Sequence, residues 1–161
     1  MLVASAPSRI VFTASTGHYR GAFSLGADGR LEDVGYEHGY TIMKAYGRSK
    51  LANVLYTRSL AAELADTGVT VNALHPGAVA TDIWNGAPWF ARPALHVAKR
   101  LFMISPADGG QTITYLATSP EVEGVTGTYF ENDLPKEPSA QARDDRLAGA
   151  VRAESARLVG L

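Results

Sequence analysis

Two short apolar, β-branched runs bracket a proline-free stretch rich in Ala, Leu, Lys, Arg and Glu. The first run, Ser8-Arg9-Ile10-Val11-Phe12-Thr13-Ala14-Ser15, is closed by Thr16-Gly17; the second, Val69-Thr70-Val71-Asn72-Ala73-Leu74-His75, is cut by Pro76-Gly77. Both read as buried strands. The stretch between them, from about Met43 to Asp66 with Gly68 just beyond, reads as a long helix stopped by a glycine. Strand, helix, strand in that order constrains the chain to an α/β fold with a parallel sheet flanked by helices. Thr126–Phe130 predicts a third strand, about three in all, which is few for such a sheet. Helical stretches are expected over 95–104 and 106–118, the latter opened by Ser105-Pro106. Pro135 and Pro138 are expected to break the chain before a last amphipathic helix from Ser139, with Leu147, Val151 and Leu158 near helical spacing. The glycine-rich segment from Gly17 to Gly39 reads as a long surface excursion.

Composition removes several classes of function. The 161 residues are one domain's worth of chain, and 46% apolar with 19% charged residues is the balance of a folded protein. A formal charge of −1 without a basic block argues against nucleic acid as a partner. Cysteine is absent, which excludes disulfides, thiolate nucleophiles and sulfur-held zinc. His18, His38, His75 and His96 show no metal-ligand spacing and read as surface or strand-end residues, so no metal is expected. No apolar run reaches the roughly 18 residues of a membrane span, and the N-terminus lacks a signal pattern. A soluble, cytoplasmic protein is expected. Asp144-Asp145 and the arginines after them read as a solvated helix face.

Three places offer chemistry. Tyr46 and Lys50, four apart on the long helix, share one face. An ammonium beside a phenol favours the phenolate, which suits a general acid or base; an ordinary amphipathic helix surface gives the same pair. Ser15 stands at the carboxyl end of the first strand, where parallel sheets place ligands. Its hydroxyl is placed to donate to a substrate oxygen, or simply to cap its own turn. His75-Pro76-Gly77-Ala78-Val79-Ala80-Thr81 leaves the second strand through a forced turn, which would bring backbone near Val79 and the Thr81 hydroxyl to the same crevice.

Together, Ile10-Val11-Phe12-Thr13-Ala14-Ser15, Tyr46-x-x-x-Lys50 and Asn72-x-x-x-Pro76-Gly77-x-Val79-x-Thr81 resemble the short-chain dehydrogenase/reductase family. Ser49-Lys50-Leu51-Ala52-Asn53-Val54-Leu55, Leu74-His75-Pro76-Gly77 and Gly127-Thr128-Tyr129-Phe130 resemble its retinol-dehydrogenase-like and WW-domain-oxidoreductase-like branch. The resemblance implies a Rossmann-like sheet and hydride transfer between NAD or NADP and a small apolar alcohol or carbonyl substrate. It implies Tyr46 as acid/base, Lys50 as its electrostatic partner and ribose ligand, and Ser15 as the residue polarising the substrate. Pro76, Gly77, the backbone at Val79 and Thr81 would contact the nicotinamide. Segment 82–104, with Trp84, Trp89 and Phe90, corresponds to the variable substrate loop. The resemblance also allows a homodimer through the Tyr46/Lys50 helix.

The family's glycine-rich pyrophosphate turn has no counterpart, since no two glycines stand two apart. The resemblance is therefore to the C-terminal half of the domain, with the N-terminal half of the sheet missing and the residue that selects NAD or NADP among what is lacking. A chain inactive by itself, and poorly soluble through an uncovered strand edge, is the expectation. The alternative is a non-catalytic remnant or interaction module of the same fold. Sugar-nucleotide epimerases share the Tyr/Lys pair but carry a larger C-terminal domain than the short stretch after Gly77 allows.

Overall fold

The computed structural model describes residues 1–77 and 105–161. Strand β1 (Ser8–Thr13) leads through a 3-10 turn (Thr16–Arg20) and the glycine-rich excursion to helix α1 (Ile42–Glu63), then to β2 (Val69–His75). After a single helical turn at Pro106–Gly109 come α2 (Gln111–Thr118), β3 (Tyr129–Glu131), β4 (Leu134–Pro135) and α3 (Asp145–Val159). The sheet order is β1-β2-β3-β4, with β1, β2 and β3 parallel and β4 antiparallel to β3. Ile10 sits opposite Val71, and Ala73 opposite Tyr129. The expected α/β architecture is present.

Alternation along the strands sorts the core into two layers. Ala73 and Tyr129 face one side, where they join Leu51, Val54 and Leu55 of α1 and Leu147, Ala148 and Val151 of α3. Leu74 and Phe130 face the other, against Leu116 of α2 and Val122. The middle strand β2 is thus covered on both sides, which is why it reads as a nearly unbroken apolar run. Helix α1 starts where Thr41 Oγ1 accepts a hydrogen bond from the Lys44 amide at 3.2 Å. It gives way to left-handed residues at Asp66 (φ 63°) and Gly68 (φ 76°), close to the expected stop. Arg9 donates through Nη1 to the carbonyls of Leu116 (3.1 Å) and Ser119 (2.8 Å), tying β1 to the carboxyl end of α2.

Several boundaries differ from the sequence reading. Pro135, expected as a breaker, lies in β4, a fourth strand of two residues. Asn132 (φ 51°) and Asp133 (φ 63°) form a two-residue left-handed turn that folds it back on β3. The last helix begins at Asp145, not Ser139, because Asp144 takes the cap position and accepts from the amides of Arg146 (2.8 Å) and Leu147 (3.2 Å). Ser139 instead lies just before a short 3-10 turn (Gln141–Arg143), its Oγ accepting from the Ala142 amide at 3.3 Å. Leu147 and Val151 are buried as expected, but Leu158 is exposed. The stretch 106–118 is split at Gly109-Gly110, although Ser105 does cap its start by accepting from the Asp108 amide at 3.1 Å. The solvated-face pairing is only partly local: Arg157 pairs with Glu154 three residues away, whereas Arg58–Asp145 and Arg152–Glu63 bind α1 to α3. The expected helix at 95–104 lies outside the described residues.

Asn72 carries a structural task that its motif does not announce. Buried on β2, it donates from Nδ2 to the Val125 carbonyl at 2.7 Å and accepts at Oδ1 from the Thr128 amide at 3.1 Å. The side chain so adds to the backbone bonds that join this stretch to β2, Gly127 amide to Val71 carbonyl (2.7 Å) and Ala73 amide to Thr128 carbonyl (3.0 Å). Asn72→Ala should therefore lower unfolding free energy by about 1–2 kcal/mol, because two part-buried backbone groups lose their partner. A urea midpoint equal to that of the unaltered chain would contradict this.

Candidate active site

The carboxyl ends of β1 and β2 lie side by side, Thr13 opposite Leu74, with the Ala14 amide donating to the Leu74 carbonyl at 2.8 Å. Ser15 leaves β1 in extended conformation and caps the 3-10 turn. Its Oγ accepts from the Gly17 amide at 3.1 Å, so the lone-pair side of the hydroxyl is engaged. The hydroxyl proton has no acceptor among the described residues and is available to a substrate oxygen.

Tyr46 and Lys50 approach this turn from α1. The Tyr46 ring packs against Gly17 so closely that a Cβ there would lie 2.7 Å from Tyr46 Cε1 and 3.5 Å from Ser15 Oγ. Phenol and serine hydroxyl thus flank one glycine. Lys50 Nζ lies 5.7 Å from the Tyr46 ring centroid and donates to the Thr13 carbonyl at 3.2 Å. The structure brings Ser15, Tyr46 and Lys50 together. Pro76 and Gly77 follow β2 at the same edge, and Gly77 (φ 87°) occupies the left-handed region that favours glycine. Val79 and Thr81 lie outside the described residues, as do Trp84, Trp89 and Phe90.

Four features of the site were not singled out from the sequence. Gly47, beside Tyr46, and Gly21 meet backbone to backbone: a Cβ on Gly21 would stand 2.3 Å from the Gly47 carbonyl oxygen. A glycine inside a helix is costly unless a close approach requires it, and that cost was the available signal. Asn53, one turn beyond Lys50, donates to the same Thr13 carbonyl at 3.1 Å. Asparagine is a poor helix former, so its presence mid-helix also pointed to a side-chain task. Arg48 donates from Nε to the Ala22 carbonyl (3.0 Å) and from Nη1 to that of Asp33 (2.6 Å), with its guanidinium 3.7 Å from the Tyr36 ring centroid. It pins the excursion against the helix that carries Tyr46.

The fourth is His18, and here the sequence reading is corrected. His18 is not a surface residue: it is fully buried, between the rings of Tyr19 and Tyr129. A short apolar-flanked histidine in a glycine-rich segment gave no periodic signal of burial. Burial lowers its pKa from the ordinary value, against the opposing pull of its hydrogen bond to Ser15 and of Glu131. His75 is lowered chiefly by burial too, opposed by Glu131 across the β2–β3 pair. Among the described residues no three His, Asp or Glu side chains cluster as metal ligands would.

These shifts have a sign. The unfolded chain binds protons on both histidines near pH 6.5, while the folded chain resists them. Stability is then complete above about pH 6.5 and falls as pH drops toward the folded-state values. Thermal melting between pH 7.5 and 5 should show Tm declining below about 6.5, with a shallower decline in His18→Phe. Equal slopes in the two proteins would contradict the assignment to His18.

No helix among the described residues is long and apolar enough to cross a membrane. Residues 31–134 match the profile of a family described as enoyl-(acyl carrier protein) reductase. Retinol dehydrogenase 14 of Mus musculus is 40% identical over 163 residues, covering all of this chain and 47% of that protein. WW domain-containing oxidoreductase of Pongo abelii is 36% identical, covering 99% of this chain and 39% of its own length. A crystal structure of an uncharacterised protein from Mycobacterium Paratuberculosis superposes with a TM-score of 0.66 at 24% identity, covering 95% of this chain and 50% of that one. The chain spans about half the length of the curated relatives it matches or less. By fold, sequence and motif order, it belongs to the short-chain dehydrogenase/reductase family.

Proposed function

We propose that residues 1–161 form the catalytic and substrate-loop part of a short-chain dehydrogenase domain. The whole domain would transfer hydride between NAD or NADP and a small apolar alcohol or carbonyl compound, and this part alone would be inactive. The observation that carries the reading is the convergence of the Ser15 hydroxyl, the Tyr46 ring and the Lys50 ammonium around Gly17 and the end of β1. The names of the retinol dehydrogenases among its relatives agree with an apolar alcohol.

In the reducing direction, the Ser15 hydroxyl donates a hydrogen bond to the substrate oxygen, keeping its proton, and so polarises the carbonyl. Tyr46 then gives its phenolic proton to that oxygen as negative charge develops there. The Lys50 charge, held near the ring by the Thr13 carbonyl, stabilises the phenolate left behind. Alcohol oxidation reverses these transfers. The nicotinamide, when bound, supplies or accepts the hydride. Lys50 retains two N–H donors beyond its bond to Thr13 and fits a ribose hydroxyl. The turn at Pro76-Gly77, with Val79 and Thr81, would hold the carboxamide end.

The test joins this chain behind the N-terminal half of mouse retinol dehydrogenase 14 and measures oxidation of NADH and NADPH with apolar aldehydes. The chain alone should show no turnover and the chimera should. In the chimera Tyr46→Phe should reduce kcat at least about a hundredfold, the scale of general acid catalysis. Gly17→Ala, whose Cβ would displace the Tyr46 ring, should cost about tenfold. Turnover by the chain alone would overturn its inactivity. Full activity of Tyr46→Phe would overturn the role of Tyr46, and a chimera that binds cofactor without turnover would favour a non-catalytic module.

A further inference from the structure

Ser15 lies two residues beyond β1, on no regular element, so something other than the strand ladder must hold it. Its carbonyl oxygen accepts twice from one residue, from the His18 amide at 3.0 Å and from His18 Nδ1 at 2.7 Å. The other ring nitrogen, Nε2, accepts from the Ser139 amide at 3.2 Å. An amide can only donate, so Nε2 is unprotonated and the proton sits on Nδ1, directed at Ser15. This ring is not filling space with whatever partner is near. It spans from the backbone of the substrate-polarising residue to a segment 121 positions away in the chain.

That segment is itself strapped to the turn. The Tyr19 hydroxyl donates to the Glu137 carbonyl at 2.7 Å. The Gln141 side chain accepts from the Phe23 amide (3.0 Å) and donates to the Phe23 carbonyl (3.2 Å). Residues 137–141 therefore meet this stretch of chain at three places, at Tyr19 and His18 within the 3-10 turn and at Phe23 just beyond it. His18 is the central and fully buried one.

We infer that His18 is a positioning residue for Ser15, holding the serine turn against the 137–141 strap so that the hydroxyl stays aimed at the substrate oxygen. This rests on the proposed role of Ser15, but the bond itself is measurable independently of turnover. His18→Asn places an amide nitrogen where Nδ1 stands and can keep the bond to Ser15. His18→Gln reaches instead to the Nε2 position and can keep only the bond from Ser139. His18→Phe keeps the ring and neither bond.

Amide hydrogen exchange on the full chain reads the result at Gly17, whose N–H is bonded to Ser15 Oγ, with Leu55 in α1 as the reference for global opening. In His18→Gln and His18→Phe, exchange at Gly17 should accelerate about tenfold, the scale of one hydrogen bond, while Leu55 stays unchanged. In His18→Asn it should stay within about threefold of the unaltered chain. In the chimera, His18→Gln should lower kcat by about ten- to a hundredfold at constant KM, and His18→Asn should restore most of it. Unaltered Gly17 exchange in His18→Gln, or equal damage in His18→Asn and His18→Gln, would overturn the inference. A chimera without turnover would sink the hydride-transfer reading alone, since the exchange measurement still decides whether His18 holds Ser15.

Discussion

The site depends on the backbone contact between Gly21 and Gly47. With no Cβ on either residue, α1 lies against the turn that follows β1 at a distance two side chains would forbid. The helix can then present Tyr46 to Gly17, and Lys50 to the Thr13 carbonyl, from the same face. Widening that contact by one methyl group would move the phenol and the ammonium away from Ser15 together, because both ride on a single rigid helix. A helix–turn packing contact sets the geometry of the site before any polar interaction adds to it.

The polar interactions then remove the remaining freedom. Lys50 and Asn53 share one acceptor at Thr13, which fixes the rotation of α1 about its axis relative to β1. Arg48 faces another way and fastens residues 22–36 through two carbonyls and the ring of Tyr36. His18 and Gln141 fasten the turn to the C-terminal chain. Most of these bonds end on backbone carbonyls or amides, so they secure chain path, and none of them engages the Ser15 proton or the Tyr46 hydroxyl. A site whose own reactive groups served as its braces would have to break them to work.

Which parts were legible in the sequence follows from the range of the forces involved. The β1–α1–β2 unit was readable because burial on both faces makes β2 a nearly unbroken apolar run, and because α1 is a long proline-free stretch of helix formers with Gly68 just beyond. That Ser15, Tyr46 and Lys50 would meet at one sheet edge was readable because four-residue spacing on a helix and a strand's carboxyl end are local facts. Asn72 and His18 were not, since what each does depends on a partner more than fifty positions away: Val125 and Thr128 for the asparagine, Ser139 for the histidine. Strand β4 was missed because its turn uses Asn132-Asp133 in left-handed conformation without glycine, and its proline read as a stop. Gly21 and Gly47 stood in plain view, but a glycine shows only that a Cβ is unwelcome, not which neighbour excludes it.

The chain path just beyond β1 is held from two sides. Among the described residues β2 is bonded to both β1 and β3, and the β1–β2 ladder runs to the Ala14 amide, which donates to the Leu74 carbonyl. Ser15 follows immediately after that last ladder bond. Lys50 and Asn53 act from α1 on Thr13, and His18 acts from the 137–141 side on Ser15. Two anchors from different elements, two residues apart, restrain the chain where the strand ladder ends.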